Sequence, residues 1–156
     1  SVQHIDFLNI DSYYGAHTFD VIIFCLYLDY LPSCRQRFQS CINAFNLLTC
    51  YGLLLIVEPD SNHQGKSHER LQAWKQCLEY LGFIRMKYEK LDHLHLMAFR
   101  KIHLHLPLDL DEKFEQMSQL LYIPQDFQNK REKPTPVVTE RENITESFQE
   151  LPFQSD

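Results

Sequence analysis

"FDVIIFCLYLDYLPS", residues 19–33, is the stretch that decides the fold. A continuous apolar run ends at Cys25, and a polar loop then leads to Pro32-Ser33, a signal for the start of a helix. A strand that is apolar throughout is typical of the centre of a parallel sheet, where both faces are covered. Ligands of such sheets bind at the carboxyl ends of the strands. The stretch therefore predicts an α/β fold with a site near Cys25.

Helices and strands alternate after this point. Apolar residues at helical spacing predict a helix that Ser33 caps and that ends near Cys50, before Gly52. A second apolar strand follows in "GLLLIVEPD", residues 52–60, and the next helix is expected to end at Gly82. Alternating units of this kind form a parallel sheet with right-handed crossovers.

Further strands are predicted before and after the alternating helices and strands. "SVQHIDF", residues 1–7, predicts a short strand that ends at Asp6. "FIRMKYEKL" (83–91) and "HLHLMAFRKI" (93–102) alternate apolar and polar residues. This alternation predicts an antiparallel hairpin in which each strand is half exposed.

Composition divides the chain into three segments. The 156 residues are 44% hydrophobic, which is enough for one domain with a sizeable core. We assign residues 1–110 to this domain and 111–127 to a short docking segment. Residues 128–156 are polar, charged and without periodicity, so we expect a mostly disordered acidic tail.

The net charge, the length of the apolar runs and the numbers of cysteines and glycines also argue against several classes of function. A net charge of -6 argues against broad nucleic-acid binding through phosphates, and no stretch approaches the roughly 20 apolar residues of a membrane span. The five cysteines show no metal-like pairing, and we read them as reduced, intracellular core residues. With four glycines, the chain has no Gly-rich loop that could hold a phosphate group.

Four side chains at predicted strand ends are candidates for a site. Asp6 could accept a hydrogen bond from a ligand, although capping a turn is the more common role of such an Asp. Cys25 could line a pocket, although a plain buried cysteine is the more common case. Glu58 and Asp60 could bind a cation or act as a base, or could simply end the strand.

The histidines and cations of the hairpin region give weaker signals. His93 and His95 are spaced to share a strand face, as are His103 and His105, but no further ligand stands at the spacing of a zinc site. We therefore predict no metal. The basic residues could face RNA or an acidic partner, or could form a solvated strand face: Arg85, Lys87, Lys90, Arg100 and Lys101.

Several stretches together carry a family resemblance. They are "DFLNI", "DVIIFCLYLDYLPS", "GLLLIVEPDSNHQ", "LGFIRMKYEKLDHLHLMAFRKI", "LYIPQDF" and "FQELP". The chain resembles a class I methyltransferase-like family over residues 4–127 and again at 148–152. That family holds the S-adenosylmethionine sensor upstream of the target-of-rapamycin complex. It also holds a fungal methyltransferase for adenine N1 of large-subunit ribosomal RNA.

The resemblance implies a ligand site and a function. Asp6 and Phe7 match the residues that hold the adenine of S-adenosylmethionine in this family, and Cys25 stands where the family has a small hydroxyl residue. The implied function is a cytoplasmic sensor that inhibits target-of-rapamycin signalling. Its implied partners are the pathway's GTPase-activating complex and that complex's lysosomal scaffold. The alternative is a methyltransferase for adenine N1 of ribosomal RNA; no catalytic residue is assigned.

The resemblance also implies that part of the sheet is missing. The family's first two strands, with the Gly-containing loop, have no counterpart in this sequence, so we interpret the chain as a C-terminal fragment. In the class I strand order their absence leaves a gap beside the strand at residues 21–26. The strand at residues 1–5 is then expected to pair loosely or to move to the exposed edge.

Overall fold

The computed structural model describes residues 2–60 and 67–128. One four-stranded sheet has the order β1-β2-β4-β3, with β2 parallel to β1 and β4 antiparallel to both β2 and β3. The strands are β1 (Phe19–Cys25), β2 (Leu48–Pro59), β3 (Phe83–Lys90) and β4 (Leu94–Lys101). The order matches the C-terminal part of a class I methyltransferase sheet, so the α/β prediction is confirmed.

Two helices connect the strands and cover one face of the sheet. They are α1 (Cys34–Leu47) and α2 (Ser67–Leu81). Ser33 caps α1 as predicted, because its side chain accepts a hydrogen bond from the Gln36 amide. The core between helices and sheet is rich in large side chains that are fully buried, among them Trp74, Phe38, Phe45, Phe83 and Phe99.

The junction between α1 and β2 differs from the prediction. The helix ends at Leu47 rather than near Cys50, and Gly52 lies inside β2. Tyr51 has a positive φ of 64°, and the pairing of β1 with β2 shifts register beside it. A Cβ on Gly52 would lie 3.0 Å from the Thr49 carbonyl oxygen and 3.2 Å from that of Asp20. Gly52 therefore permits a close approach of two strands and does not stop the helix.

Gly82 has the predicted role. It follows α2 directly and has a φ of 103°, a conformation that favours glycine at the end of a helix. A Cβ at this position would lie 2.8 Å from the Cβ of His103, so the turn has no room for a side chain.

The antiparallel hairpin is confirmed, but the polar side of β4 is buried. His95 and Lys101 share the covered face with Met97 and Phe99, and all four are almost inaccessible. The Lys101 ammonium group donates to the carbonyl oxygens of Phe45 and Leu48, at 2.6 and 2.8 Å. These carbonyls lie at the end of α1, where a cation offsets the helix dipole.

The predicted first strand is wrong. Residues 2–6 form no strand, and a 3₁₀ helix, Phe7–Ser12, follows. Asp6 caps that helix, with Oδ1 accepting from the Leu8 amide at 3.0 Å. Asn43 on α1 donates to the carbonyl of Phe7 at 2.9 Å. Among the described residues no strand pairs with this segment, and the cap at Asp6 and the bond from Asn43 hold its end against α1.

β1 is an edge strand and is not buried on both faces as predicted. Ile22 and Phe24 point into the core, whereas Val21 and Ile23 are 45% and 60% exposed. The apolar run is the same as in a central strand. Its outer face is uncovered because, among the described residues, no strand pairs with its free edge and no helix packs over that face.

The segment after β4 contains α3 (Leu110–Ser118) and α4 (Gln125–Gln128). Phe114 packs edge-on against Phe38, and the Trp74 indole donates to the carbonyl of Tyr122 at 3.0 Å. The predicted tail at 128–156 lies, apart from Gln128, outside the described residues.

Arg37 ties this segment to the rest of the fold. Its guanidinium group is fully buried and forms a two-point ion pair with Asp126, at 2.7 and 2.9 Å. The remaining N–H groups donate to the carbonyls of Leu28, Leu31 and Leu121. All five donors of the group are therefore used.

Membrane spans and cysteines are the last two features to report. Within the described residues no helix is long and apolar enough to cross a membrane. All five cysteines are free, and Cys41 and Cys77 are buried, but Cys25 and Cys50 are exposed and are not core residues as expected.

The Arg37 contacts generate a prediction about stability. Arg37→Met leaves the Asp126 carboxylate without its cation, and we expect a loss of about 3 to 5 kcal/mol in the free energy of unfolding. Urea unfolding measures this loss. The control is Arg35→Met, because Arg35 is 64% exposed in its pair with Glu115, and its loss should stay below about 1 kcal/mol. Equal losses for the two variants would contradict the role given to Arg37.

Candidate ligand site at the strand ends

The parallel strands β1 and β2 end at the same edge of the sheet. Cys25 at the end of β1 lies opposite Val57, and Glu58 follows directly on β2. Asp29 lies in the short 3₁₀ helix that follows β1, and Asp60 follows the end of β2. The fold thus gathers three carboxyl groups at the edge where open α/β sheets bind ligands.

The three residues predicted to hold a ligand lie near the end of β1. Phe7 is half-buried and packs edge-on against Phe24 and Tyr27, with ring centroids 5.4 and 5.9 Å away. Asp6 precedes it, and both Asp6 oxygens serve the cap of the 3₁₀ helix, the second accepting from Asn9 at 2.6 Å.

Cys25 points to the other face of β1. Successive side chains of a strand alternate between faces, and Phe24 is the neighbour that packs on Phe7. The structure therefore brings Asp6 and Phe7 to the end of β1 on the α1 side, with Cys25 exposed on the opposite side. The ligand role of these residues stays a prediction.

Burial makes Glu58 and Asp29 a coupled pair of carboxyl groups. Burial, and next the negative charge of Asp29, raise the pKa of Glu58 to about 8. Burial also raises the pKa of Asp29. Glu58 Oε1 accepts from the Leu28 amide at 3.2 Å, while Glu58 Oε2 and Asp29 Oδ1 are buried and have no hydrogen-bond partner among the described residues. A proton held by the pair at neutral pH supplies a donor where two carboxylates would repel.

Arg70 is the cation beside this pair. It is only 3% exposed, and both terminal nitrogens lack a hydrogen-bond partner within residues 2–60 and 67–128. Its charge lowers the pKa values of Asp29 and Glu58, although burial outweighs it in both. The guanidinium also lies over the Trp74 ring, at 5.7 Å.

A chain of hydrogen bonds runs from the hairpin to the end of β2. The Tyr88 hydroxyl lies 3.0 Å from His95 Nδ1, and His95 Nε2 lies 3.1 Å from Asp60 Oδ1. Burial lowers the pKa of His95, and the hydrogen bond from Lys90 lowers that of Asp60. At neutral pH the partners therefore assign the ring proton to Nε2, with Nδ1 accepting from Tyr88.

These groups line a cleft of about 360 Å³ between α2 and the hairpin. Sequence reasoning missed the contact between His95 and Asp60, because alternation placed His95 on the polar side of a half-exposed strand. The signal that could have found it is the Asp that ends β2 together with a His on the adjacent strand. That adjacency depends on β4 lying beside β2, which periodicity does not reveal.

The histidines and basic residues that the sequence offered as weaker candidates do not come together in one site. Among the described residues no group of three His, Cys, Asp or Glu side chains could hold a metal ion. The basic residues do not form one cluster: Lys90 pairs with Asp60, Lys87 pairs with Glu89, and Lys101 is buried on the helix side of the sheet.

Comparison with known proteins identifies relatives of this chain. No protein-family model matches it. A Xenopus tropicalis protein named "S-adenosylmethionine sensor upstream of mTORC1" is 47% identical over 116 residues, which are 74% of this chain. The Danio rerio protein of the same name is 46% identical over 112 residues, or 72% of this chain.

Over this stretch the chain is similar in sequence to these sensor proteins. It spans 28% of the length of either relative. The resemblance expected from the sequence is thereby confirmed for the part that is matched.

A solved structure is also similar. The N-methyltransferase NodS from Bradyrhizobium japonicum WM9, in complex with S-adenosyl-L-homocysteine, matches with a TM-score of 0.47 and 17% identity. The match covers 64% of this chain and 53% of the neighbour. The fold assignment rests on the strand order described above.

The coupled carboxyl pair generates a prediction about pH. The pKa of Glu58 rises from 4.5 to about 8 on folding, so its contribution to stability is present below pH 4.5 and is lost as pH rises towards 8. Glu58→Gln removes this titration, and the free energy of unfolding should then fall less over that range. Between pH 4.5 and pH 8 the difference in the free energy of unfolding between variant and parent should therefore change by about 4 kcal/mol.

Urea unfolding at several pH values measures the effect. Glu89→Gln is the control, because Glu89 is exposed on β3 and should leave the pH profile unchanged. A profile for Glu58→Gln that parallels the parent's would contradict the assignment of the buried proton.

Proposed function

We propose that the complete protein binds S-adenosylmethionine and acts as a sensor that inhibits target-of-rapamycin complex signalling. The observation that carries this proposal is the 47% identity, over 116 residues, to a protein named as such a sensor. The matched stretch includes most of the sheet whose strand ends gather the candidate site. A conserved fold alone would not favour a sensor over an enzyme, because one fold serves many functions.

The proposed ligand contact begins at Asp6. A carboxylate offers only acceptors, so it suits the exocyclic amino group of adenine. Each oxygen of Asp6 has two lone pairs, and one protein hydrogen bond to each leaves acceptor capacity for a ligand. The Phe7 amide would donate to a ring nitrogen, whereas Cys25, on the opposite face of β1, takes no part in this contact.

The proposed sensing mechanism is a shift between two states. S-adenosylmethionine would bind one conformation more tightly than the other and so raise its population. The change would alter a surface that regulatory proteins recognise. We propose the pathway's GTPase-activating complex and its lysosomal scaffold as these partners, and the cytoplasm as the location.

A sensor and a methyltransferase differ in one measurable respect. Calorimetry of the complete protein with S-adenosylmethionine and with S-adenosylhomocysteine measures binding, and a methyl-transfer assay on ribosomal RNA measures turnover. Binding without turnover supports the sensor. Methylation of adenine N1 would favour the alternative, the RNA methyltransferase.

Asp6 provides a more local prediction. Asp6→Asn keeps an oxygen for the helix cap but replaces the other acceptor with a donor, which opposes the adenine amino group. We expect the affinity of the complete protein for S-adenosylmethionine to fall by about 1 to 3 kcal/mol, or about 5- to 150-fold in Kd. Calorimetry measures this change.

Asp11→Asn is the matched control, since Asp11 is exposed in the same 3₁₀ helix and should bind as the parent does. If Asp6→Asn also bound with unchanged affinity, Asp6 would not belong to the site.

A further inference from the structure

The cleft between α2 and the hairpin lies apart from the contacts proposed for S-adenosylmethionine. Those contacts begin at Asp6 and Phe7 near the end of β1, and β2 separates β1 from the hairpin. The cleft has a volume of about 360 Å³, within the range of small-molecule sites. Its lining includes an acid, two cations, two rings and one apolar side chain, and we call the site that they form the hairpin cleft: Asp60, Leu71, Arg85, Tyr88, Lys90 and His95.

Asp60 is a buried acid with one weakly held oxygen. Its side chain is only 1% exposed, and Oδ1 accepts from His95 Nε2 at 3.1 Å and from the Ser67 hydroxyl at 3.3 Å. Within residues 2–60 and 67–128, the one polar contact of Oδ2 is the Lys90 ammonium group, at 3.1 Å, in a bent geometry that leaves the oxygen without a well-formed hydrogen bond. Lys90 is 56% exposed, so its ammonium group can return to water at little cost. Oδ2 is therefore a position where another ammonium group can replace Lys90.

His95 and Tyr88 form a wall of the cleft that needs no ligand to hold it. His95 is almost fully buried, and its two ring nitrogens are engaged by Asp60 and by the Tyr88 hydroxyl. The two rings are stacked, with an interplanar angle of 23°. Leu71 adds a nearly buried apolar side chain from α2. A ligand would therefore meet a surface that is already ordered, which lowers the cost of binding.

A second cation lies further along the hairpin. The Arg85 guanidinium lies over the Tyr88 ring, at 5.7 Å, and among the described residues no acid pairs with it. Arg85 pairs with Phe99 on β4, whereas Lys90 pairs with His95. Four residues of a strand span about 13 Å, so the backbone positions of the two cations are well separated although both side chains line the cleft. The cleft thus offers an acid at one end and an unpaired cation toward the other.

The charges of the cleft decide which ligands fit. A ligand with only an ammonium group would replace Lys90 at Asp60 but would leave two cations, Arg85 and Lys90, beside it. A ligand with only a carboxylate would meet Arg85 but would bring a like charge toward the buried Asp60. Like charges at close range oppose binding, so a molecule with both groups, separated by several carbon atoms, suits the cleft best.

We propose that the hairpin cleft binds a small linear zwitterion of the ω-amino acid class. Its ammonium group replaces Lys90 at Asp60 Oδ2, and its carboxylate meets Arg85. Its carbon chain lies along the Tyr88 ring and Leu71. The site differs from the proposed S-adenosylmethionine site in place and in chemistry, so this inference does not rest on the proposed function.

Probes that share one carbon chain test the proposal. The whole chain of 156 residues, labelled with ¹³C-histidine, is titrated with 6-aminohexanoate while the His95 ring signals are followed by NMR. We expect a Kd of about 1 mM or tighter. Hexanoate and hexylamine each lack one charged group, and L-norleucine carries both charges on adjacent carbons, so each should bind at least about tenfold more weakly.

Variants identify the two ends of the site. Asp60→Asn removes the partner of the ammonium group and should weaken binding of 6-aminohexanoate at least about tenfold. Lys90→Ala removes the competing ammonium group, so hexylamine should bind at least about fivefold more tightly and hexanoate should not. Lys90 is exposed, so this variant tests the site even if Asp60→Asn fails to fold. Lys87→Ala is the matched control, since Lys87 pairs with Glu89 on the exposed hairpin and does not line the cleft.

Two results would overturn the proposal. One is hexanoate binding as tightly as 6-aminohexanoate and losing its affinity in Lys90→Ala, which would identify a simple anion site. The other is the absence of any shift of the His95 signals with 6-aminohexanoate in both the parent and Lys90→Ala. The titrations contain no S-adenosylmethionine, so either result leaves the proposed sensor function standing.

Discussion

The rest of the structure depends on the hydrogen bonds of one buried group, the Arg37 guanidinium. A buried cation is costly unless every N–H has an acceptor, and Arg37 meets this condition with Asp126 and three backbone carbonyls. The acceptors come from the loop after β1 and from the segment after β4. One side chain on α1 therefore determines where both of these segments lie.

This constraint reaches the candidate site through the loop after β1. Arg37 holds the carbonyls of Leu28 and Leu31 on either side of Asp29, and the Leu28 amide donates to Glu58. The coupled carboxyl pair is thus fixed in place by a group that does not touch it. Arg37 therefore helps to position the pair, and its charge also lowers the pKa of Asp29, although burial outweighs this effect.

Much of the fold could be predicted from local signals in the sequence. The apolar run of β1, the cap at Ser33 and the stop at Gly82 each have a physical cause within a few residues. The alternation of the hairpin strands also predicted their pairing. These features depend on backbone geometry and side-chain periodicity, which one sequence displays.

The errors arose where a property depends on distant neighbours. "SVQHIDF" alternates like a strand, but no strand of the described part lies beside it, and its Asp6 caps a 3₁₀ helix instead. Lys101 looks solvated in the sequence and is buried because the end of α1 offers it carbonyl acceptors. The chain of hydrogen bonds from Tyr88 through His95 to Asp60 likewise requires β4 to lie between β2 and β3. Such adjacencies follow from topology, which periodicity does not specify.

The outer edge of β1, with which no described strand pairs, also has a consequence for how the chain behaves in a cell. A flat apolar strand with free backbone groups is a template for aggregation, and natural proteins protect such edges with charges, prolines or bulges. Between Val21 and Cys25 this strand carries none of these. When no further strand or helix covers it, β1 should therefore promote aggregation, and chaperones that bind exposed apolar strands should recognise it.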